Sequence, residues 1–364
     1  MRESAKISES RPVAVKTIGI LGFRKEPVEV MDPPRTRAML AEAALQGAEL
    51  VFLDALQYDL AAGRVRTMVW KADEWREEWR GPPDVVTIIG SPLEAGHEPL
   101  DAWIRRSCPV IVYTNDDKLA QSEILSGTPC ACYLIPQARV PAEAPGEMLA
   151  DFLRTHHGAV IKRVDGSRGV GLLFIVRETG GWTVKYKGKE HRGTLEEAAG
   201  FVASRIAGRL RYRQFVAQRF IRSVAADGRA ADIRVHVQRG GDGEFGVTRG
   251  YARLAEAGIP LANTSRGGYQ GPIEGFLSQR AVRDPGEIED ELKRVALEIA
   301  EIQSATHETP LAELGIDFLI DDDDRIWIVE TNVFPGSYLH EQLRAERAVG
   351  YALHVAEKAG RAGE

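Results

Sequence analysis

An acidic hairpin near the C-terminus restricts the fold and the chemistry of this chain more than any other segment. The sequence there is GIDFLIDDDDRIWIVETN, residues 315–332. Apolar and polar side chains alternate on both sides of the acidic tip, which predicts the two strands of a β-hairpin. If the turn is centred between residues 323 and 324, Asp317 lies directly opposite Glu330. Their Cβ atoms are then ~4.5–5.5 Å apart, where like charges repel unless something neutralises them.

Three side chains of this hairpin form a predicted metal site. Asn332 follows Glu330 by two residues, so both side chains point to the same face of the strand. Two carboxylates and an amide oxygen that converge on one point suit a hard divalent cation such as Mg²⁺. The alternative is that Asp317 and Glu330 are ordinary solvent-facing residues. The expected positions of Leu319, Ile326 and Ile328 argue against this alternative, because these three apolar side chains would share the face of the two carboxylates. The acids at 321–324 are interpreted differently, as a solvated turn.

The composition is that of an ordinary soluble protein of two or three domains. The 364 residues are 27% charged and 44% hydrophobic, with a net charge of −6. This mild negative charge gives no electrostatic reason to expect binding to nucleic acids or membranes, and no apolar run approaches the ~20 residues that span a bilayer. Residues 1–12 lack the apolar core of a signal peptide. Three cysteines (Cys108, Cys130 and Cys132) are too few for a disulfide framework or a zinc site, so we expect a cytoplasmic protein.

The first third of the chain alternates strand and helix patterns. In residues 13–115 the strand candidates are VAVKTIGILG, ELVFLD, PDVVTIIG and CPVIVY, and RTRAMLAEAALQGA is an amphipathic helix. Such alternation is typical of an open α/β sheet. The segment KADEWREEWRG carries Trp75 and Trp79 at helical spacing, and we interpret both as packing residues rather than as a ligand cage.

A lysine and a glycine-rich turn suggest a phosphate-binding element. Lys162 lies on a strand candidate at 159–164, which runs into the turn DGSRGVG and returns as LLFIV. Glycine lets the backbone approach a phosphate closely, and a nearby lysine supplies a point charge. The loop joins two strands, so it is neither a dinucleotide-binding fingerprint nor a P-loop. Taken alone, it would be interpreted as a plain hairpin turn.

Cationic residues follow this turn in the sequence. Asp232 and Arg234 share the polar face of the strand candidate DIRVHVQ, and Arg253 stands near the end of the next strand. The loop 263–268, which begins with Asn263, offers further donors for phosphate. Each arginine taken singly is more often a salt-bridge partner than a catalytic group. Their order, between a lysine/glycine loop and a metal hairpin, is what makes them candidates.

Taken in order, five strings resemble the ATP-grasp superfamily over roughly residues 115–345. They are NDDKLAQSEIL, VIKRVDGSRGVG, FVAQRFI, DIRVHVQ with NTSRGG, and GIDFLI with IWIVETN and Pro335-Gly336. The chain is most similar to the YheC/YheD-type group, named for association with the endospore coat, and glutathione synthetase-like carboxylate–amine ligases look similar in the same places. The resemblance implies an α/β protein with α+β lobes. Its implied parts are a flexible tail (1–12), an open α/β pre-ATP-grasp domain (13–115), a small lid subdomain (116–212) and a C-terminal lobe with the metal hairpin (213–364).

The resemblance also implies a nucleotide site. Lys162 would contact the ATP phosphates, and a mobile loop would close over them, formed by Gly166, Ser167, Arg168, Gly169 and Gly171. A strand end would read the adenine edge through backbone groups, namely Gln218, Arg219, Phe220 and Ile221. Arg219 stands where related chains often have an acidic residue. The second ATP-contacting lysine is left open among Lys185, Lys187 and Lys189.

The implied catalytic and metal residues follow from the same strings. Arg234, Arg253 and Asn263 would face the γ-phosphate and the acceptor carboxylate. Two Mg²⁺ ions, or alternatively Mn²⁺, would be held by Asp317, Glu330 and Asn332, with Glu330 bridging them. No general base is evident, and for the two histidines considered, His236 and His340, we favour a structural role.

The activity that the resemblance implies is ATP-dependent and Mg²⁺-dependent ligation of a carboxylate to an amine. The reaction would pass through an acyl phosphate and release ADP and phosphate. The substrates would be small molecules or peptides, without a nucleic-acid or membrane partner, while their identities and the oligomeric state are left open. The alternatives are a non-catalytic nucleotide-binding scaffold or coat component, and a phosphotransferase that stops at a phosphorylated product. Intact metal ligands favour the enzyme.

Overall fold

The computed structural model describes residues 15–24, 26–113, 117–166, 171–256, 269–280 and 283–362. These residues belong to two compact units. The first unit draws on 1–113, 239–244 and 336–364, and the second on 114–238 and 245–335. Within the described ranges, no helix combines the length and the apolar character required to cross a membrane.

The elements are numbered along the chain. The described strands are β1 (Lys16–Gly22), β2 (Ala48–Asp59), β3 (Arg64–Lys71), β4 (Glu74–Arg80), β5 (Val85–Ile89), β6 (Val110–Val112), β7 (Gln137–Val140), β8 (Gly158–Arg163), β9 (Leu173–Glu178), β10 (Gly181–Tyr186), β11 (Lys189–Gly193), β12 (Phe215–Arg219), β13 (Ala231–Arg239), β14 (Phe245–Leu254), β15 (Tyr269–Gly271), β16 (Glu313–Ile320) and β17 (Ile326–Val333). The described α-helices are α1 (Pro33–Leu45), α2 (Glu98–Ser107), α3 (Lys118–Ser126), α4 (Pro145–His156), α5 (Leu195–Leu210), α6 (Ile273–Leu277), α7 (Pro285–Ser304) and α8 (Glu341–Ala362). Short 3₁₀ turns occur at Pro27–Val30 and Pro129–Tyr133.

The first unit is built on a six-stranded sheet of order β4-β3-β2-β1-β5-β6. Strand β1 pairs in parallel with β2 and β5, and β5 pairs in parallel with β6, whereas β2, β3 and β4 are antiparallel. Parallel strands covered on both faces are nearly continuous apolar runs, which is what the strand candidates of this region are. The predicted open α/β sheet is therefore confirmed, with an antiparallel extension at one end.

The helical spacing of Trp75 and Trp79 is misleading, because both residues lie on strand β4. A two-residue turn joins β3 to β4, and its residues Ala72 and Asp73 have φ angles of 49° and 62°. Positive φ at both positions defines a type I′ hairpin turn. Residues four apart share a face in a strand as well as in a helix, so the spacing fits both structures. The ring of Trp75 packs edge-on against Phe52, with centroids 5.5 Å apart.

The second unit contains two sheets. The smaller lobe has the order β11-β10-β9-β8-β12-β7, with antiparallel pairing throughout. Helices α4 and α5 bury their apolar sides with this sheet in a core that includes Leu149, Leu153, Ile161, Val202 and Ile206. A capping box begins α5, in which the Thr194 hydroxyl accepts from the N–H of Glu197 and the Glu197 carboxylate accepts from the N–H of Thr194.

The larger lobe of the second unit has the sheet order β15-β14-β13-β16-β17. One face of this sheet packs on α7 in a core that includes Ile233, Val235, Ile316, Phe318, Leu292 and Ile299. Since strand side chains alternate between faces, the intervening residues point the other way. That second face carries charged side chains on three neighbouring strands, and it holds the candidate site.

Candidate functional site

The hairpin of β16 and β17 places Asp317 opposite Glu330, as the sequence predicts. The register is not uniform along the hairpin. Near the tip Ile320 pairs with Ile326, one residue away from the register expected for a turn centred between 323 and 324. The register then shifts between Asp317 and its neighbour, which is the signature of a β-bulge. The bulge restores the predicted pairing where the site lies.

The same bulge overturns the expected apolar face. Ile326 and Ile328 pack in the core with α7, on the opposite side of the sheet from Asp317. Of the three predicted apolar neighbours, Leu319 alone lies on the face of Asp317. An extra residue in one strand reverses its alternation, so Glu330 leaves the face of Ile328 and joins that of Asp317.

The three predicted metal ligands converge. The amide nitrogen Nδ2 of Asn332 lies 3.4 Å from Oδ2 of Asp317 and 3.3 Å from Oε1 of Glu330. Asp317 is 5% exposed, whereas the side chain of Glu330 is 24% exposed. One ligand is therefore buried in the lobe and one reaches the open side of the site.

The acidic tip forms the turn that its sequence predicts, but the turn is not solvated throughout. Asp321 accepts from the N–H of Arg325 at 2.9 Å and from the indole N–H of Trp327 at 2.8 Å. Asp324 is 1% exposed and accepts from the N–H of Arg283 at 2.7 Å. These acids therefore organise the turn rather than bind a ligand.

A buried network of arginines and carboxylates surrounds Asp317. Arg234 donates from Nε and Nη2 to the two oxygens of Asp317, at 2.6 and 2.7 Å. Nη2 of Arg253 lies 3.0 Å from the same carboxylate and 2.8 Å from Oδ2 of Asp232. The two predicted catalytic arginines are thus held as buried salt-bridge partners, side by side on one carboxylate.

The two carboxyl groups of this network, Asp317 and Asp232, have pKa values shifted in opposite directions. Burial alone would raise the pKa of Asp317, but the positive charges of Arg234 and Arg253 outweigh it and hold the pKa below its ordinary value. Burial raises the pKa of Asp232 to about 6, although Arg253 opposes the shift. Asp317 therefore stays ionised at neutral pH, and Asp232 is the first of the two to take a proton as the pH falls.

A glycine leaves room for the close approach of Pro335 to strand β16. Gly315 lies two residues before Asp317 on β16 and shares its face. A Cβ atom there would meet Cβ of Pro335 at 2.8 Å and Cδ of Arg234 at 3.4 Å. The distance to Arg234 is an ordinary van der Waals contact, whereas the distance to Pro335 is too short, so Gly315 is required by the close approach of Pro335.

Lys162 is a buried residue of strand β8 in the second unit. It is 6% exposed, and its Nζ donates to Oε1 of Gln218 at 2.9 Å. Burial lowers its pKa to about 8, against the charge of Glu330, which raises it, while nearby Lys118 adds to the lowering. Because its pKa is about 8, Lys162 is still largely charged at neutral pH, and a bound phosphate would keep it charged at higher pH.

Lys118, for which the sequence predicts no role, lies between the acidic hairpin and the glycine-rich turn. Its Nζ lies 3.0 Å from Oε2 of Glu330 and donates to the carbonyl of Gly166 at 2.6 Å. It therefore joins the metal hairpin to the glycine-rich turn. Gln121, one helical turn further along α3, exchanges two hydrogen bonds with the backbone of Thr331, at 2.9 and 3.1 Å, and fixes the helix on β17. The string NDDKLAQSEIL contained both residues but gave no reason to select them.

The three lysines considered as the second ATP contact do not lie beside Glu330. Lys185 is on β10 and pairs with Glu178 and Glu190, each at 3.5 Å. Lys187 lies over the ring of Tyr186, 5.4 Å from its centroid, and Lys189 begins β11. Of the described lysines, Lys118 is the one that stands with Lys162 beside the carboxylates.

Apolar side chains line a cleft beside Lys118. This cleft in the second unit is lined by Leu125, Leu134, Ile135, Ile328 and Val329 together with Lys118, Gln137, Gln218 and Glu330. A planar apolar ring with polar edges, such as a purine, suits this mixture. The N–H groups of Arg219 and Phe220 already donate to the carbonyls of Pro136 and Gly158. Two of the backbone N–H groups predicted to read the adenine edge are therefore already engaged within the fold, and the assignment of residues 218–221 to adenine stays a prediction.

Some predicted residues are outside the described part of the chain. Ser167, Arg168 and Gly169 of the glycine-rich loop are among them, as is Asn263. The two ends of that loop are described, and Gly171 has a φ of +78°, which a residue with a side chain rarely adopts. Ile221 is 7% exposed and packs with Ile135 and Trp327.

The two histidines considered as bases are buried. His236 Nε2 lies 2.9 Å from Oε1 of Glu313, and neither side chain has any exposed surface. His340 is 5% exposed and belongs to the first unit. Both positions agree with a structural role.

The oxygen ligands fit Mg²⁺ only if the nucleotide completes the site. Among the described residues, no group of three or more His, Cys, Asp or Glu side chains could hold a metal ion. Glu330 could supply a carboxylate and, after rotation of its amide group, Asn332 could supply an amide oxygen. Both oxygens of Asp317 already accept hydrogen bonds from Arg234, so Asp317 would have to share them with the metal. Mg²⁺ is commonly bound by one or two carboxylates together with substrate phosphates. We therefore expect metal binding to depend on ATP.

ATP binding should take up a proton above the pKa of Lys162. Below pH ~8 the free lysine is already charged, and above it the lysine is neutral, so a bound phosphate must recruit up to about one proton at pH ~9. Affinity should fall over the same range. Calorimetry in buffers of different ionisation enthalpy measures the uptake. Lys162→Arg, which stays charged, should abolish it, and Lys185→Arg on β10 is the matched control. Equal uptake in wild type and Lys162→Arg would remove Lys162 from the site.

The acidic hairpin, the two lysines beside it and the two lobes of the second unit are the features expected of an ATP-grasp protein. The model of YheC/D-like ATP-grasp proteins matches residues 108–356, and the chain belongs to this family. The endospore coat-associated protein YheD of Bacillus subtilis (strain 168) is 25% identical over 248 residues. These are 65% of this chain and 54% of that protein, so the chain spans about half the length of this relative.

Solved structures show the same fold at low sequence identity. D-alanyl-alanine synthetase A from Vibrio cholerae is similar with a TM-score of 0.54 and 13% identity, over 95% of this chain and 98% of its own. D-cycloserine synthetase DcsG has a TM-score of 0.53 and 13% identity, over 94% and 99%. A RiPP-associated ATP-grasp ligase of Chryseobacterium gregarium, solved with ADP and a leader and core peptide, has a TM-score of 0.51 and 12% identity, over 94% and 97%. The predicted ATP-grasp fold is confirmed.

Proposed function

We propose that the protein is an ATP-dependent carboxylate–amine ligase that uses Mg²⁺. The observation that carries the proposal is that two lysines lie beside the carboxylate of Glu330. Lys118 contacts both Glu330 and the glycine-rich turn, and the charge of Glu330 raises the pKa of Lys162 against the effect of burial. Positive charge beside carboxylates is the arrangement needed to hold a metal-bound polyphosphate. The synthetases and the ligase named above, which share the fold, support this reading.

The reaction needs positioned charges more than a protein nucleophile. An oxygen of the substrate carboxylate attacks the γ-phosphorus, and the bond to the β-phosphate oxygen breaks to release ADP. The amine then attacks the acyl carbon, phosphate leaves, and the ammonium product loses a proton to solvent. Magnesium, when bound, would offset the negative charge of the phosphates. Lys162 and Lys118 would hold the phosphate chain in place, and positioning of this kind supplies much of the rate.

The two arginines fit a positioning role, in which they contact Asp317 rather than the phosphate. Arg234 and Arg253 hold Asp317 ionised and fix its two oxygens in place. Contact with the γ-phosphate or the acceptor carboxylate would require one of them to leave that carboxylate. As the network stands, they position the ligand that binds the metal.

A second candidate is a nucleotide-binding coat component without ligase activity. The Bacillus relative is an endospore coat-associated protein, which favours this candidate, and so does the engagement of both Asp317 oxygens by arginine. The third possibility, a phosphotransferase, shares the first step of the ligase reaction and differs in keeping the phosphorylated product.

One assay separates the three functions. The protein is incubated with ATP, Mg²⁺, hydroxylamine and a panel of amino acids and peptides, and ADP, phosphate and hydroxamate are measured. We expect hydroxamate in stoichiometric amounts with ADP for at least one carboxylate, because hydroxylamine intercepts an acyl phosphate. A stable phosphorylated product without hydroxamate would identify a phosphotransferase. Nucleotide binding without ADP formation across the panel would favour the coat component. Glu330→Gln is the control for contaminating activity.

A further inference from the structure

Strand β4 ends the sheet of the first unit and is unpaired on one side within the described residues. It spans seven residues, Glu74–Arg80, and pairs with β3 in a regular register without a bulge. The strand contains no proline. An edge strand presents a row of backbone donors and acceptors that another strand can pair with.

The hairpin turn determines which backbone groups face outwards. In a two-residue hairpin the flanking residues, here Lys71 and Glu74, form a hydrogen-bonded pair. Hydrogen-bonded and non-hydrogen-bonded pairs alternate along antiparallel strands. The N–H and C=O groups of Trp75, Glu77 and Trp79 are therefore directed away from β3. These three residues are spaced symmetrically about Glu77.

The sequence of β4, EWREEWR, is close to its own complement when it is reversed. We propose that β4 pairs antiparallel with β4 of a second copy of this chain, about a two-fold axis at Glu77, and that this pairing makes a homodimer. A two-fold interface is self-complementary, so every contact between unlike residues occurs twice. The outward groups of the three symmetric residues would supply the ladder of hydrogen bonds between the copies.

The cross-strand pairs in this register are favourable. Glu74 faces Arg80 of the other copy, and Arg76 faces Glu78. Opposite charges and aromatic pairs directly across a strand pair are both stabilising. Trp75 faces Trp79 of the other copy, and Trp79 is 47% exposed in the single chain. The dimer would cover this tryptophan.

The remaining pair joins Glu77 to Glu77 of the other copy, and two carboxylates would repel each other. Each is offset within its own chain, since Nη1 of Arg66 lies 2.6 Å from Oε1 of Glu77. A competing explanation is that the charges of β4 only keep an edge strand in solvent. The existing ion pairs of β4 would compete with the new ones. Arg76 pairs with Glu74 at 51% and 62% exposure, where a pair contributes little. Glu78 pairs with Lys71 and Arg80 of its own chain, and it would have to share these partners in the dimer.

Charge exchange tests the register. Sedimentation of the full chain over a range of concentrations should show a species of twice the 40.1 kDa chain mass. Arg76→Glu places two pairs of like charges across the axis and should raise the dimer dissociation constant about tenfold or more. Arg76→Glu combined with Glu78→Arg restores opposite charges in both pairs and should recover dimerisation. A double variant as weak as the single one, or a wild type that stays monomeric at about 100 μM, would overturn the proposal.

A proline tests the backbone ladder independently of charge. The N–H of Glu77 points away from β3, so Glu77→Pro should leave the hairpin intact while removing central hydrogen bonds of the dimer. Glu77→Thr keeps the N–H and removes the carboxylate pair, so it should dimerise at least as tightly as wild type. Circular dichroism confirms that each variant is folded. If a folded Glu77→Pro dimerises like wild type, the interface lies elsewhere; if it does not fold, the charge-exchange pair decides.

Discussion

Replacing Glu330 by glutamine is expected to abolish ATP turnover while leaving the protein folded. The substitution removes one charge from the metal set and the partner of Lys118, whose Nζ lies 3.0 Å from Oε2 of Glu330. Interactions that stabilise developing charge in an active site are commonly worth ~10²–10³-fold in rate each. Since Glu330 serves both the metal and a lysine, we expect a loss of about 10³-fold or more, measured as ADP release at saturating Mg²⁺.

The stability of the same variant should change little. The side chains of Glu330 and Lys118 are 24% and 17% exposed, and the carboxylate faces the open side of the site. Partly exposed pairs of this kind contribute ~1 kcal/mol or less to the free energy of unfolding. Asp322→Asn is a matched control, because Asp322 belongs to the same hairpin but pairs with Arg222 at the surface. Turnover by Glu330→Gln at the rate of Asp322→Asn would defeat the assignment of Glu330.

The pairing of Asp317 with Glu330 could be predicted from the sequence because it depends on local order. A hairpin folds a strand back on its neighbour, and the period of two then fixes which side chains face each other. The bulge that reverses the alternation could not be predicted in this way. The run IWIVETN contains neither glycine nor proline to mark it, and the core decides the matter by burying Ile326 and Ile328.

The other site contacts could not be predicted from the sequence because they join residues that are far apart in the chain. Arg234 and Asp317 are paired residues of β13 and β16, but 83 positions separate them in the chain. The sequence placed Arg234 on a polar face without indicating which strand lies beside it. Lys118 is a comparable case, since it reaches Glu330 through the docking of α3 on β17 by Gln121. No local pattern encodes either contact.

Replacing Asp317 by alanine should lower stability as well as ATP turnover, unlike Glu330→Gln, which should change stability little. The change leaves Arg234 buried without the carboxylate that accepts from its Nε and Nη2, and it removes one carboxylate partner of Arg253. Breaking a buried ion pair by removing one partner costs ~3–5 kcal/mol. Urea denaturation should show a loss of this size, well above that of Glu330→Gln.

The pH dependence of this loss follows from the lowered pKa of Asp317. A carboxylate whose pKa is depressed in the folded state stabilises the fold above the ordinary carboxyl range of ~4 and loses that contribution as the pH falls through its folded pKa. The difference between wild type and Asp317→Ala should therefore be greatest at neutral pH and should narrow in acid. A difference that stays constant into strong acid would mean that lost packing, not lost charge, destabilises the variant.

A compensated double variant separates these causes at neutral pH. Asp317→Leu with Arg234→Met replaces an ion pair by apolar side chains and keeps the pair of Arg253 with Asp232, at 2.8 Å. Apolar replacement of a complete buried pair is often neutral or stabilising, so the double variant should recover most of the stability that Asp317→Ala loses. It should remain without ATP turnover, because the metal ligand is gone. Failure to recover stability would show that the arginine network is not what makes Asp317 indispensable to the fold.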